Sequence, residues 1–249
     1  MALESLSTAM QRSANGLRSS PALTAILGTA VLSTSWVLYD FHSWKDFGTG
    51  GTPPTWAGYW RMTKLRVNAI MHPDDLTDPS PLSEAGPKFL KSPLPQREGQ
   101  RPKTMPRIMP QRQRPEGIDE KAREKLQSLI HVLGEEHAEL LVVKPSKTEG
   151  GTTEAIYAKP DLHTLNPIAK NRLLDHEIAH AHPADNSLHV WVSDVDAREI
   201  ISKGWGQRFP LKFVESGWTM VYAPRTEEEV AVVESIVKAG VAWITGQEI

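Results

Sequence analysis

The chain contains no cysteine in 249 residues. Disulfide frameworks, thiolate nucleophiles, iron–sulfur clusters and cysteine-based zinc sites are therefore excluded. It also lacks an N-x-[ST] glycosylation acceptor, a G-x-G-x-x-G turn and a phosphate-binding loop, so NAD, FAD and ATP have no visible seat. Net charge is small as well. Lys and Arg number 28 against 30 Asp and Glu, a formal charge of -2, which gives no global basic field of the kind that gathers nucleic acid. No internal repeat is present.

What is there is unevenly distributed. Residues 22–41 (ALTAILGTAVLSTSWVLYDF) carry no charge before Asp40, a length sufficient to cross a hydrocarbon core of roughly 30 Å. Trp36, Tyr39, Phe41, Trp44, Phe47, Trp56, Tyr59 and Trp60 follow closely, and such aromatics suit the headgroup boundary. Residues 56–71 then mix aromatics with Arg61, Lys64 and Arg66, as an interfacial helix does. The expected organisation is an N-terminal tail (1–20), a single-pass endomembrane anchor (21–41) and an interfacial segment (42–71). A buried core helix, a signal peptide and an organellar presequence are the competing explanations for the same apolar stretch.

Ten of the nineteen prolines fall in residues 72–118, where missing N–H donors disfavour helix and sheet. The first half of this segment reads as a linker. The second half, residues 96–115, holds Arg97, Arg101, Lys103, Arg107, Arg112 and Arg114 against Glu98 alone. It is either a solvated basic stretch or an extended arm offering guanidinium groups to an anionic ligand. No aromatics interleave those charges, which argues against a nucleic-acid arm.

Residues 119–249 are expected to form one compact α+β domain of about four short strands with packed helices. Asp119 is placed to cap a helix with apolar Ala122, Leu126, Leu129, Ile130 and Leu133. Residues 139–144, 154–159, 188–193 and 218–223 have strand composition. A short helix over 196–203 ends at Gly204, and Thr226-x-x-Glu229 opens a last helix with a stripe of Val230, Val233, Ile236, Val237 and Val241. Asn166-Pro167 is a helix start, and that helix is expected to run through Leu173, Leu174 and a histidine cluster until Pro183.

The cluster is His176-Glu177-Ile178-Ala179-His180-Ala181-His182. As H-E-x-x-H on a helix it would offer His176 and His180 to zinc with Glu177 as general base. Pro183 then ends the helix too soon, His182 lies about 200° round from His180, and His189 is an unforced third ligand. Ordinary polar histidines at a helix end are the plainer explanation. A third is an acid/base site in which His180, His182 and His189 meet Trp205, Gln207 and Arg208 of the next loop.

The order E-I-A-H-x-H (177–182), L-H (188–189), K-G-W-G-Q-R-x-P-L (203–211) and Y-A-P-R-x-E-E-E (222–229) resembles the fungal luciferases, part of a wider luciferase-domain family. R-E-G-x-R-P (97–102) and Q-R-Q-R (111–114) extend the likeness upstream. The resemblance implies an oxygenase that adds O2 to a hydroxylated 2-pyrone, 3-hydroxyhispidin, with loss of CO2 and without metal, flavin or nucleotide. Glu177, His180, His182 and His189 match the family pattern, whereas the position of His176 need not be histidine. On this basis His180 or His182 is the expected base and Arg208 the anion clamp. Trp191 and Trp205 become pocket walls, with Gln207, Tyr222 and Arg225 as further substrate contacts. The implied partners are a small aromatic substrate, O2 and a membrane, and the implied cofactors and metals are none. A non-catalytic ligand-binding member of the fold and a zinc hydrolase using His176, Glu177 and His180 are the alternatives. The chain departs from the pattern around residues 182–194 and between Leu211 and Trp218, where it is shorter.

Overall fold

The computed structural model describes residues 20–249, so the tail expected over 1–20 lies outside it but for Ser20. The chain divides into two units, 1–47 and 48–249. In the first, helix α1 (Pro21–Phe47) continues six residues past the expected anchor. Its most apolar 18 residues have a mean hydropathy of 1.5, and 27 residues at 1.5 Å each give about 40 Å. It is long and apolar enough to span a membrane, a property it shares with signal sequences and core helices.

The second unit begins with α2 (Trp56–Met71), where the Thr55 side chain accepts a hydrogen bond from the Gly58 N–H at 3.2 Å. Tyr59 and Met62 are buried, while Trp56, Trp60, Val67, Ile70 and Met71 are exposed. Residues 72–118 then carry no helix or regular strand, as their prolines require. They are nevertheless packed on the domain. Leu82, Leu90 and Leu94 enter the core, and side-chain carboxylates replace the missing ladder partners: Asp196 accepts from the N–H groups of Phe89 and Leu90, and Glu199 from that of Leu94. Downstream, residues 103–114 fold back on themselves through a Thr104–Gln113 bridge, which buries Gln111, Arg112 and Gln113.

The core is a six-stranded antiparallel sheet, two strands more than the sequence suggested. The strands are β1 (Leu141–Pro145), β2 (Glu154–Ala158), β3 (Glu177–Ala181), β4 (Leu188–Trp191), β5 (Gly206–Arg208) and β6 (Trp218–Val221), in the order β1-β2-β3-β4-β6-β5. Helices α3 (Glu120–Glu136) and α5 (Glu227–Thr245) pack on it, with α4 (Asp194–Ser202) between β4 and β5. Leu126 and Leu133 of α3 and Val233, Ile236 and Val237 of α5 are the buried stripes that hold them there. Thr226 caps α5 by accepting from the Glu229 N–H.

The principal correction concerns the helix expected from Asn166 to Pro183. Asn166 does start a helical turn, but it is a 3-10 turn of four residues, Pro167–Lys170. Asn171 then accepts from the N–H groups of Leu173 and Leu174, and Asp175 and His176 adopt φ of 50° and 71°. Two successive left-handed residues end right-handed helix growth. Of the histidines that follow, His180 lies on β3, paired with β2 on one side and β4 on the other, and His182 comes directly after its end. Tertiary pairing has overridden a helical pattern.

Gly240 of α5 sets the spacing of that helix from the sheet. A Cβ there would lie 2.9 Å from the Trp191 carbonyl oxygen and 3.0 Å from Val190 Cγ1. Elsewhere in a helix, alanine is favoured over glycine. Here Gly240→Ala is expected to cost about 1–3 kcal/mol through overpacking, seen as a lowered denaturant midpoint. A neutral or stabilised variant would show that the helix is not seated against β4.

Candidate functional site

The two-residue period of a strand, continued one residue past the end of β3, places His182 on the same face as His180. His189 sits directly opposite His180 on β4. Glu177, three residues before His180, would face the other side of a regular strand. A bulge opposite Ile156 and Tyr157 inserts one residue into β3, which turns the Glu177 carboxylate onto the histidine face. His180 Nε2 lies 3.0 Å from His182 Nε2, His182 Nε2 lies 3.1 Å from His189 Nδ1, and His189 Nδ1 lies 3.3 Å from His180 Nε2. All three rings are buried.

The far nitrogen of each ring has its own partner. His180 Nδ1 is 2.7 Å from Glu177 Oε1, His182 Nδ1 is 2.8 Å from Ser187 Oγ, and His189 Nε2 is 3.1 Å from Gln111 Oε1. Glu177 also accepts from Ser146 Oγ, Thr148 Oγ1, the Tyr157 hydroxyl and the N–H groups of Lys147 and Thr148. It is therefore a framing carboxylate that joins β2, β3 and the 146–149 loop. That loop delivers Glu149, whose Oε1 reaches 3.4 Å from His180 Nε2 and 3.8 Å from His182 Nε2. Arg112 forms a two-pronged ion pair with Glu149 from the proline-rich arm.

Burial opposes charge on His180, but hydrogen bonds to Glu149 and Glu177 outweigh it and push its pKa up to about 9. Burial, reinforced by the Arg112 charge, drives His182 well below the usual imidazole range. Burial and its histidine neighbours do the same to His189. Burial works against the Glu149 carboxylate too, yet His180 and Arg112 hold it well below its ordinary value. The ligand atoms of Glu149, His180, His182 and His189 lie within 4.8 Å of one another, so these four could hold a metal ion together.

Part of the cluster lines a cavity of about 330 Å³. His180, His189, Glu149 and Gln111 contribute polar groups to it, as do Arg61, Lys147 and Arg172, and Met62, Met109, Leu174, Phe209, Leu211 and Trp218 supply apolar walls. Trp218 stacks on His189 at 5.6 Å and 10°, and Phe209 meets the same ring edge-on at 5.4 Å. A larger cavity of about 950 Å³ lies beside α2, with Arg66, His72, Arg107 and Gln207 on its walls. Gln111 lines both.

Residues 175–240 match the luciferase domain family. Over 167 residues the chain is 40% identical to luciferases of Armillaria mellea and Armillaria gallica, and over 165 residues 36% identical to that of Neonothopanus nambi. In each case 61% of this chain and 61% of the relative are covered. In its matched part the chain is similar to fungal luciferases. It spans about 61% of the length of the curated relatives it matches, and no solved structure matches it.

Within this luciferase-like domain the fold gathers Glu177, His180, His182 and His189 into one cluster. The other residues singled out from sequence lie apart from it. Arg208 binds the Asp74 carboxylate and the carbonyls of Asp75 and Asp78. Arg225 is paired with Glu229. Trp191 is in the hydrophobic core, and Trp205 donates its Nε1–H to the Pro95 carbonyl with the Arg97 guanidinium over its ring. Gln207 and Tyr222 are hydrogen-bonded to each other. His176 sits in the turn before β3, its Nδ1 directed at Asp175 rather than at His180, so the H-E-x-x-H zinc geometry does not form. Sequence reasoning passed over Glu149, Gln111, Phe209 and Trp218. Q-R-Q-R pointed at Gln111, but a carboxylate beside the Gly150-Gly151 turn carries no periodic signal.

Glu177→Ala would strand five buried or half-buried donors besides His180. The expected destabilisation is about 3–5 kcal/mol, whereas Tyr157→Phe, which removes one bond to a charged acceptor, should cost about 1.5–3 kcal/mol. Denaturant unfolding checks the pair, and equal losses would contradict the framing role of the carboxylate.

Proposed function

We propose that this chain is an oxygenase of the luciferase type, acting on a hydroxylated 2-pyrone such as 3-hydroxyhispidin or a related phenolic. The observation that carries this is the histidine-lined cavity of about 330 Å³. Its volume suits a small organic ligand, and its apolar walls with a few convergent polar groups are typical of such sites. A flat pyrone would stack beside Trp218 and Phe209 and direct its hydroxyl toward Gln111, His180 and His189. Ionisation of that hydroxyl, favoured by positive charge held in the cluster, leaves an electron-rich enolate that can bond to O2. The hydroxypyrone plus O2 then gives a keto acid plus CO2, so the atoms balance without an external reductant. The likeness to fungal luciferases supports the same direction. In this proposal α1 is the endomembrane anchor, supported by its length relative to a bilayer core.

Oxygen uptake with 3-hydroxyhispidin should match CO2 release one for one, with photon counting reporting whether the product emerges excited. Phe209→Ala is expected to raise KM by up to about tenfold, from a ring contact worth about 0.5–1.5 kcal/mol. Saturable pyrone binding with no oxygen consumed would sink the oxygenase reading and leave a binding protein of the same fold. Full-length protein should partition with membranes and a form lacking residues 1–47 should not; a soluble full-length chain would refute the anchor.

A further inference from the structure

We infer that Glu149, His180, His182 and His189 hold a divalent first-row transition-metal ion. The warrant is a count of lone pairs. Gln111 donates its amide N–H to the Arg208 carbonyl, so its Oε1 is the atom facing His189, and His189 Nε2 must carry the hydrogen. Ser187 donates its hydroxyl to Asp185, so it accepts from His182, and His182 Nδ1 must carry the hydrogen. His180 Nδ1, 2.7 Å from the Glu177 carboxylate, is a donor for the same reason. A neutral imidazole has one N–H and one lone pair. With all three rings neutral, the inward nitrogens are bare acceptors, aimed at one another across 3.0, 3.1 and 3.3 Å, with the Glu149 oxygen beside them.

Such convergence is unfavourable in a buried site unless something electrophilic sits between the acceptors. A proton on His180 Nε2 satisfies one neighbour and leaves His182 Nε2 facing His189 Nδ1. A water brings two hydrogens to three lone pairs. A metal ion serves all of them. The point equidistant from the three nitrogens is about 1.8 Å from each, so an ion at the usual distance of about 2.0–2.1 Å sits slightly out of their plane. Tetrahedral ligands at that distance are about 3.3–3.4 Å apart, close to the 3.4 Å between Glu149 Oε1 and His180 Nε2. Each histidine also has its remote N–H fixed by a carboxylate, a Ser–Asp pair or an amide oxygen, the outer arrangement that metal-ligating histidines use to lock tautomer and orientation.

Three imidazoles and one carboxylate select zinc, iron, manganese, cobalt or nickel over calcium or magnesium. This set departs from the metal-free chemistry that the luciferase resemblance implies, and it differs from the H-E-x-x-H set because His176 is not a ligand while Glu149 and His182 are. Three of the four ligands line the cavity of about 330 Å³, so the ion would sit in its wall, where it would supply positive charge to an anionic ligand.

The test is metal analysis of the purified full-length protein, followed by chelator treatment and titration with Co2+. About one ion per chain is expected, with ligand-field bands in the visible and a raised Tm on Co2+ addition. His182→Ala should abolish the bands. Ser187→Ala keeps every ligand and should weaken Co2+ binding by about 10–100-fold, which preserves the test if the first variant does not fold. Protein that purifies without metal, and shows neither bands nor a Tm shift with Co2+, Zn2+ or Mn2+, overturns the inference, as does undiminished Co2+ binding by folded His182→Ala. The assay reads the ion and not turnover. An inactive protein holding the ion would refute the oxygenase and leave the metal site, and an active protein without it would do the reverse.

Discussion

One buried carboxylate organises the centre of this molecule. Glu177 receives hydrogen bonds from β2 through Tyr157, from the 146–149 loop through two hydroxyls and two N–H groups, and from His180. A buried charge is tolerated only when its lone pairs are occupied, and here the groups that occupy them are those that shape the site. The loop it fixes delivers Glu149, and the imidazole it orients faces His182 and His189. The β3 bulge is the backbone cost of placing this carboxylate on the same face as the histidines.

The rest of the site is assembled from distant parts of the chain around that anchor. The segment matching the luciferase domain supplies the histidines, Trp218 and Phe209, but Glu149, Gln111 and Arg112 lie outside residues 175–240. The last two come from a proline-rich arm without regular secondary structure of its own. Its backbone is held instead by side chains of α4 and its own hairpin-like fold-back. Proline excludes ladder pairing but not burial, and the arm exploits that difference.

Much of the fold was legible because its signals are local. The apolar stripes of α3 and α5, the Thr226 cap and four of the strands follow from spacing alone. Helix at 166–183 was misread because Leu173, Leu174 and the histidines satisfy a helical period, whereas the deciding information lies in β2 and β4, whose backbones offer partners on both sides. β5 is three residues long, too short to show alternation. In the candidate site the histidines were visible as a cluster and their grouping with His189 was anticipated, but the strand geometry that makes His180 and His182 neighbours was not. Arg208 and Arg225 stood out as cations within the luciferase-like motifs, and only the positions of Asp74 and Glu229 reveal that their charge is already engaged.

The arm carries one further consequence. Because Arg112 holds Glu149 and Gln111 holds His189, the unit that builds the histidine cluster does not begin where regular secondary structure resumes at Glu120. A version trimmed to the helix-and-strand region would retain the sheet and all three histidines, yet lose the Gln111 partner of His189 and the Arg112 partner of Glu149. Boundaries for expression, for fusion partners or for transplanting this centre into another scaffold therefore belong upstream of the arm, since an irregular ribbon is as much a wall of the chamber as any strand.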